Sequence, residues 1–445
     1  MGQTVRNVDK LKRTLTTPEV FFAALKQIIG GGVIALTGIV IGMTGGGTPL
    51  AYICAAAIST MVAIPYAVMG SAMPVTGGIY AWPSRIFGPK TGFLVFWCFS
   101  LTHVALSLYA LTAADYIINF YPELSKNLVA LVILTAIYGA NLLGAVVSAR
   151  LGVILTCIML SGMILFIGYG ITRVDLTHFT PLFPNGKFMF ASSVALLLFV
   201  TGGASSVAEL AGEMKTPGRT IPIAIIGSTL LAAVFYAVIA SIAIGVLPLD
   251  QIADKPLTVQ AKHVMPSPAY LYFAIGAGII SMLGILNVQM LWGSKSFMSA
   301  CDDGWLPQRL GSVNLKFGTP HWLITLLYLV GVIPVICGIP VGEIAGASGL
   351  TGLIAQASSV ICSWKIRGDD QIYGKSAFKI PHWLHLSAVI ISFILIVCMM
   401  VMLFNNASVK SMIIMISWFG MGLIFIKIKS HKNTKNTVQT ISEHI

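Results

Sequence analysis

Twelve apolar runs, most of them about twenty residues or longer and nearly free of charge, limit what this chain can become. They cover 18–45, 48–73, 92–121, 127–147, 151–172, 189–213, 222–247, 269–300, 320–338, 342–364, 384–404 and 408–427. A helix needs about 20 predominantly apolar residues to cross the hydrocarbon core of a bilayer. The whole sequence agrees, with 56% of its 445 residues hydrophobic and only 9% charged, where soluble domains carry about 25% charged residues. The expectation is an all-α integral membrane protein with 12 transmembrane helices. A short polar tail (1–17) precedes them and another (428–445) follows.

An even number of spans puts both termini on one side, and the basic residues say which. With the N-terminus inside, 20 of the 27 Lys and Arg residues fall on the cytoplasmic side, six fall outside, and Lys26 lies within a span. That asymmetry predicts cytoplasmic termini in the plasma membrane. It also accounts for the net charge of +12, so nucleic acid is not an expected partner. The N-terminus "MGQTVRNVDKLKRTLTTPEV" has no cleavable signal pattern, and its Met-Gly start only weakly matches a myristoylation signal.

Enzymatic chemistry finds little support. The seven cysteines form no C-x-x-C pair and the eight histidines are scattered, so neither a zinc nor a disulfide framework is expected. No glycine-rich loop ends in the Gly-Lys-Ser/Thr of a P-loop. No cofactor and no primary pumping are expected.

Two spans cannot be continuous helices. The first contains "KQIIGGGV", with Gly30, Gly31 and Gly32 in a row; the sixth contains "FVTGGASS", with Gly202 and Gly203 near its middle. Each such glycine costs a helix about 1 kcal/mol relative to Ala, and backbone released in lipid must find a partner. Small residues for close helix contact are one explanation. The matching positions favour another. The interrupted spans are five apart, as expected if spans 1–5 (18–172) and 6–10 (189–364) are two inverted repeats, with 384–427 adding two helices. Paired interruptions of this kind point to a transport site. The half-helix after Gly32 offers N–H groups and a positive dipole end to a carboxylate. The carbonyls ending the first half of span 6 offer acceptors to an ammonium.

The motifs strengthen this reading. "IIGGGV", "PVTGGIYAWPSRIFGPKTGF" (Pro74 to Phe93), "GEMKTPGRTIP" (Gly212 to Pro222), "DDGWLP" (Asp302 to Pro307) and "GTP" (Gly318 to Pro320) occur in order at the expected spans. Together they resemble the amino acid–polyamine–organocation (APC) permease superfamily over most of the chain. The resemblance implies a LeuT-like core of five plus five inverted helices with discontinuous first and sixth spans. It implies alternating-access transport of amino acids or related amines. It places Gln27, Gly30, Gly31 and Gly32 at the substrate carboxylate and Phe199 at an aromatic gate. Thr201, Gly202, Gly203 and Ala204 fall on the unwound part of helix 6, and Gln289 on the pocket wall. In this family's pattern Gly31 replaces a serine, and Ala204 is small where many relatives are bulky. Met159 stands where many members have a lysine that takes the place of a sodium ion.

That last departure bears on Lys26. A lysine at mid-membrane depth costs at least ~2.5 kcal/mol. Lys26 either snorkels about 12 Å to the interface, or supplies the fixed cation missing at 159, or pairs with a substrate acid. As the fixed cation it is the candidate coupling group. Glu213 is expected to brace cytoplasmic loops through Arg85 or Lys215. Asp115 is expected in a solvated vestibule, and Asn287 in an interhelical hydrogen bond. The reading that follows is a secondary active permease or exchanger for a small amino acid or related zwitterion, coupled to protons or counter-substrate rather than sodium. An amine exporter, or a membrane sensor or scaffold of the same fold, is the alternative.

Overall fold

The computed structural model describes residues 6–118, 121–406 and 409–442, and over these the protein is a helical bundle with two isolated backbone bridges and no strand. Helix α1 (Thr17–Ile28) begins with a capping box. The Thr16 amide and hydroxyl both donate to the Glu19 carboxylate at 2.8 Å, and Pro18 occupies the first turn, where a missing N–H costs nothing. The helix stops at Ile28. Ile29 and Gly30 are extended, and α2 (Gly31–Thr44) follows.

The remaining elements follow the apolar runs closely. They are α3 (Thr48–Ala72), the short α4 (Gly78–Phe87), α5 (Pro89–Ser100), a 3₁₀ turn (Leu101–Val104), α6 (Ala105–Ile118), α7 (Lys126–Leu142) and α8 (Ala145–Ile171). Then come α9 (Gly186–Thr201), a 3₁₀ helix (Ala204–Glu213), α10 (Pro217–Gly245), the short α11 (Leu249–Ile252) and α12 (Thr258–Val264), and α13 (Ser267–Phe273). A π segment (Ala274–Ile280) leads into α14 (Ser281–Asp302), followed by α15 (His321–Ile336), α16 (Val341–Ile366), α17 (Asp370–Tyr373), α18 (His382–Asn406) and α19 (Val409–Ser442). Among the described residues, eight helical stretches are long and apolar enough to cross a membrane; the apolar helices 126–142, 186–198 and 321–336 are shorter.

Helix α10 lies along α3, and α1 packs on α10, α8 and α14. One apolar core surrounds α1, α3 and α10, and a second fills the space among α5, α6, α14 and α15. Helix α19 is pinned to α5 by Trp97 and Trp418. Their rings stack at 4.9 Å, and each indole N–H donates to the other residue's carbonyl at 2.8 Å. The opposite faces of α18 and α19 leave Val401, Phe404, Ile413, Ile416 and Ile424 exposed, as a lipid-facing surface requires.

The two ends of the bundle are closed differently. At the end carrying the N-terminal tail, the Leu15 amide donates to the Glu213 carbonyl at 2.8 Å and the Lys215 amide donates to the Leu15 carbonyl at 3.0 Å. The Asp302 carboxylate accepts the amides of Asn7 and Val8, both at 2.9 Å. At the far end, glycines of α2 and of the 3₁₀ turn that follows it (Gly45–Gly47) admit two loops. A Cβ on Gly38 would collide with the Lys255 backbone, and one on Gly46 with the Phe179 backbone. The amides of Asp254 and Leu257 donate to the carbonyls of Gly38 and Ile34 at 2.9 and 3.0 Å.

Because the obstacle at Gly38 is backbone rather than a movable side chain, Gly38→Ala is expected to destabilise the protein by about 1–3 kcal/mol. Gly139→Ala on α7, where nothing lies within 4 Å, is the matched control and leaves stability unchanged or slightly raised. Unfolding midpoints of the two variants in detergent check this.

Candidate functional site at the paired helix breaks

The two interruptions anticipated from glycine positions are present, and they meet. Helix α9 ends at Thr201, Gly202 is extended, and Gly203 takes a left-handed φ of +112° before the 3₁₀ helix begins at Ala204. A Cβ on Gly203 would lie 2.8 Å from the Gln27 carbonyl. Only glycine allows both that φ and that approach. The Gln27 side-chain Nε2 beside this junction is buried and has no hydrogen-bond partner. A ten-residue 3₁₀ helix is longer than is usual, and such stretches within a spanning segment mark hinges.

The first break is narrower than the glycine triplet suggests. Gly30 is the extended residue, while Gly31 and Gly32 already form the first turn of α2, which no side chain caps. Their position leaves the helix N-terminal amides without intrahelical partners. Gly30 packs directly on Ile285 of α14, with Met282 beside it, so the wall opposite the break is aliphatic. The last carbonyl of α1 is taken: Tyr236 of α10 donates its hydroxyl to Ile28 at 2.9 Å. The Tyr236 ring lies 5.4 Å from that of Tyr52, whose hydroxyl shares a 2.9 Å hydrogen bond with Thr37 of α2. This tyrosine pair holds both halves of the broken helix.

Thr201 is engaged in bracing the break. Its hydroxyl is 2.5 Å from Ser59 of α3 and 3.1 Å from the Leu197 carbonyl. Ala204 is buried. Phe199 lies in the last turn of α9, and its side chain is outside the described residues. Gln289 is one turn beyond Ile285 on α14 and reaches the Thr102 carbonyl at 3.5 Å. Around it lies a polar island that single-sequence reading missed. His103 Nδ1 is 3.1 Å from the Ser100 carbonyl, while His103 Nε2 and Trp292 Nε1 are buried without partners, their rings 5.5 Å apart. A histidine and a tryptophan 189 positions apart give no joint signal in the sequence.

Lys26 is fully buried, so it does not snorkel. Its Nζ donates to the thioether of Met159 on α8 at 2.9 Å, and its methylenes lie where Gly284 of α14 has no side chain. A thioether is a weak acceptor. The ammonium lies between α1, α8 and α14 with no carboxylate partner among the described residues.

The other charged groups in the spans have structural partners. Glu213 pairs with Lys295 at 2.8 Å, both only 2% exposed. Neither Arg85 nor Lys215, the partners expected from sequence, takes that role. Lys295 is inside α14 rather than in a cytoplasmic loop. Glu209 accepts from the Ile79 amide at 2.7 Å and from the Ser296 hydroxyl, tying the 3₁₀ helix to the start of α4 and to α14. Asp115 pairs with Lys126 at 2.7 Å. Asn287 makes the expected interhelical bonds, donating to the Ser148 carbonyl at 2.9 Å and accepting from Asn141 at 3.0 Å.

A bundle of apolar helices whose first and sixth runs break in contact with each other defines a membrane transport protein. Residues 15–426 match the family model described as amino acid permease, and the chain belongs to that family, within the APC superfamily. It is 27% identical to the branched-chain amino acid permease BcaP of Bacillus subtilis, over 96% of this chain and 94% of that protein. It is 27% identical to BcaP of Lactococcus lactis, covering 70% of this chain and 73% of that protein. Cationic amino acid transporter 9 of Arabidopsis thaliana is 25% identical, over 69% of this chain and 58% of that protein.

Two substitutions probe the architecture. Lys295→Met strands the Glu213 charge and is expected to cost about 3–5 kcal/mol; adding Glu213→Leu recovers much of it. Tyr236→Phe leaves the Ile28 carbonyl unpaired and is expected to cost about 1–3 kcal/mol. Thermal unfolding of the purified variants measures both.

Proposed function

We propose that the protein is a secondary active transporter of small neutral amino acids, carrying an aliphatic zwitterion by alternating access at the meeting of the two helix breaks. The contact of Gly203 with the Gln27 carbonyl carries this reading, because it brings the uncapped start of α2 and the end of α9 to one point. The amides of Gly30, Gly31 and Gly32 receive the carboxylate. Carbonyls near Thr201 and Gly202 receive the ammonium. Gln27 offers its unpaired amide, Ala204 leaves room, and Phe199 and Gln289 complete the wall.

Two features support a neutral substrate. Met282 and Ile285 lie at Gly30, and the intramembrane carboxylates of Glu209 and Glu213 are committed elsewhere. The branched-chain activity named for the BcaP relatives is consistent with this, and a cationic side chain would meet no free acid at the breaks among the described residues.

The twelve helical runs act as twelve spans in the plasma membrane, ten of them forming a LeuT-like pair of inverted repeats, with both termini cytoplasmic. Lys26 is the coupling group. Its ammonium occupies the space against Met159 as a fixed cation, so proton binding or exchange, rather than sodium, drives the cycle.

A thermal-shift screen of the purified protein tests the site by mass action. Leucine, isoleucine or valine is expected to raise the midpoint, with or without sodium, and arginine is not. Stabilisation only by amines lacking a carboxylate would overturn the α2 docking site. Lys26→Met is expected to remove the pH dependence of uptake into proteoliposomes; an unchanged pH profile would sink its coupling role.

A further inference from the structure

A cavity lies away from the helix breaks, at the end of the bundle closed by the N-terminal tail. Its volume is about 300 Å³, within the range of small-ligand pockets. The tail supplies Arg6, Asp9 and Arg13, α4 supplies Tyr80, Ser84 and Arg85, and Asp303 closes it beyond α14.

Its charges are unevenly satisfied. Asp303 is fully engaged, with Arg6 on one oxygen at 2.8 Å and the Tyr80 hydroxyl on the other at 2.7 Å. Arg6 Nε is shielded from solvent and has no acceptor. Among the described residues, Arg13 and Arg85 make neither an ion pair nor a side-chain hydrogen bond. On the tail and the α4–α5 turn, Arg6, Lys10, Lys12, Arg13, Arg85 and Lys90 stand against one unengaged carboxylate, Asp9. Guanidinium groups match the geometry of phosphate oxygens through parallel N–H donors, and the hydroxyls of Thr76 and Ser84 line the same space.

We propose that this cavity binds a phosphate-bearing anion, held between Arg13 of the tail and Arg85 of α4. The tail and α4 both rest on α14. A ligand spanning them ties the tail across this end of the bundle and stabilises the tail-docked structure by mass action. The phosphate can come from a soluble compound or from a lipid headgroup.

The test uses full-length protein in detergent and does not depend on which amino acid is carried. Unfolding midpoints are measured with inorganic phosphate against chloride at equal ionic strength, and with short-chain phosphatidylglycerol against phosphatidylcholine. At least one probe is expected to raise the midpoint, with the rise reduced in Arg13→Gln and in Arg85→Gln and abolished in the double variant. A response to phosphate alone identifies a soluble ligand, and a response to phosphatidylglycerol alone identifies a lipid headgroup. Failure of both probes, or an undiminished rise in the double variant, overturns the proposal. Both arginines are exposed, so the substitutions leave the packing of the bundle intact.

Discussion

A backbone group released from a helix inside a bilayer has no water to turn to, and the centre of this protein is organised around that constraint. Two helices are interrupted at the same place, and much of the freed hydrogen-bonding capacity is taken up by neighbours. Tyr236 takes the Ile28 carbonyl, Thr201 bonds back to Leu197 and across to Ser59, and Tyr52 steadies α2 through Thr37. What these contacts do not absorb is the uncapped start of α2 and the Gln27 amide. These are the groups that the proposed zwitterion site would use.

Charge follows a complementary distribution. Toward the tail, three carboxylates lock elements together: Glu213 pairs with Lys295, Asp302 accepts the tail amides, and Asp303 pairs with Arg6. At the breaks, the nearest fixed charge is Lys26, buried against a thioether. An unpaired buried ammonium is costly, and Lys26 has no carboxylate partner among the described residues.

Much of this was legible in the sequence because it depends on local periodicity. Most apolar runs became helices near their expected bounds, whereas the last continues as α19 to Ser442 through residues 428–442, which were expected to be tail, and Gly30 and Gly202–Gly203 mark the two breaks because few other residues tolerate them. The Lys26 neighbourhood followed from Met159 in the APC pattern, and burial then excluded snorkelling. Long-range pairings were not legible. Glu213 is separated from Lys295 by 82 positions, and Arg85 and Lys215 were equally plausible partners on charge alone. The tail read as a soluble appendage because its packing rests on amides donating to Asp302, an interaction without a side-chain signature on the tail. Nothing in the spacing of Gly38 and Gly46 names the loops that cover them.

Those glycines have a mechanical consequence. Because Lys255 presses its backbone directly onto Gly38, α2 has no side-chain layer there between itself and that loop, and Phe179 rests in the same way on Gly46 in the turn just after α2. Any tilt of α2 would pull on residues 254–257, where the Asp254 and Leu257 amides bond to the Gly38 and Ile34 carbonyls, and that segment continues through α12 into α13. The half-helix that begins at Gly31 is therefore tied at its far end to the segment that leads into α13.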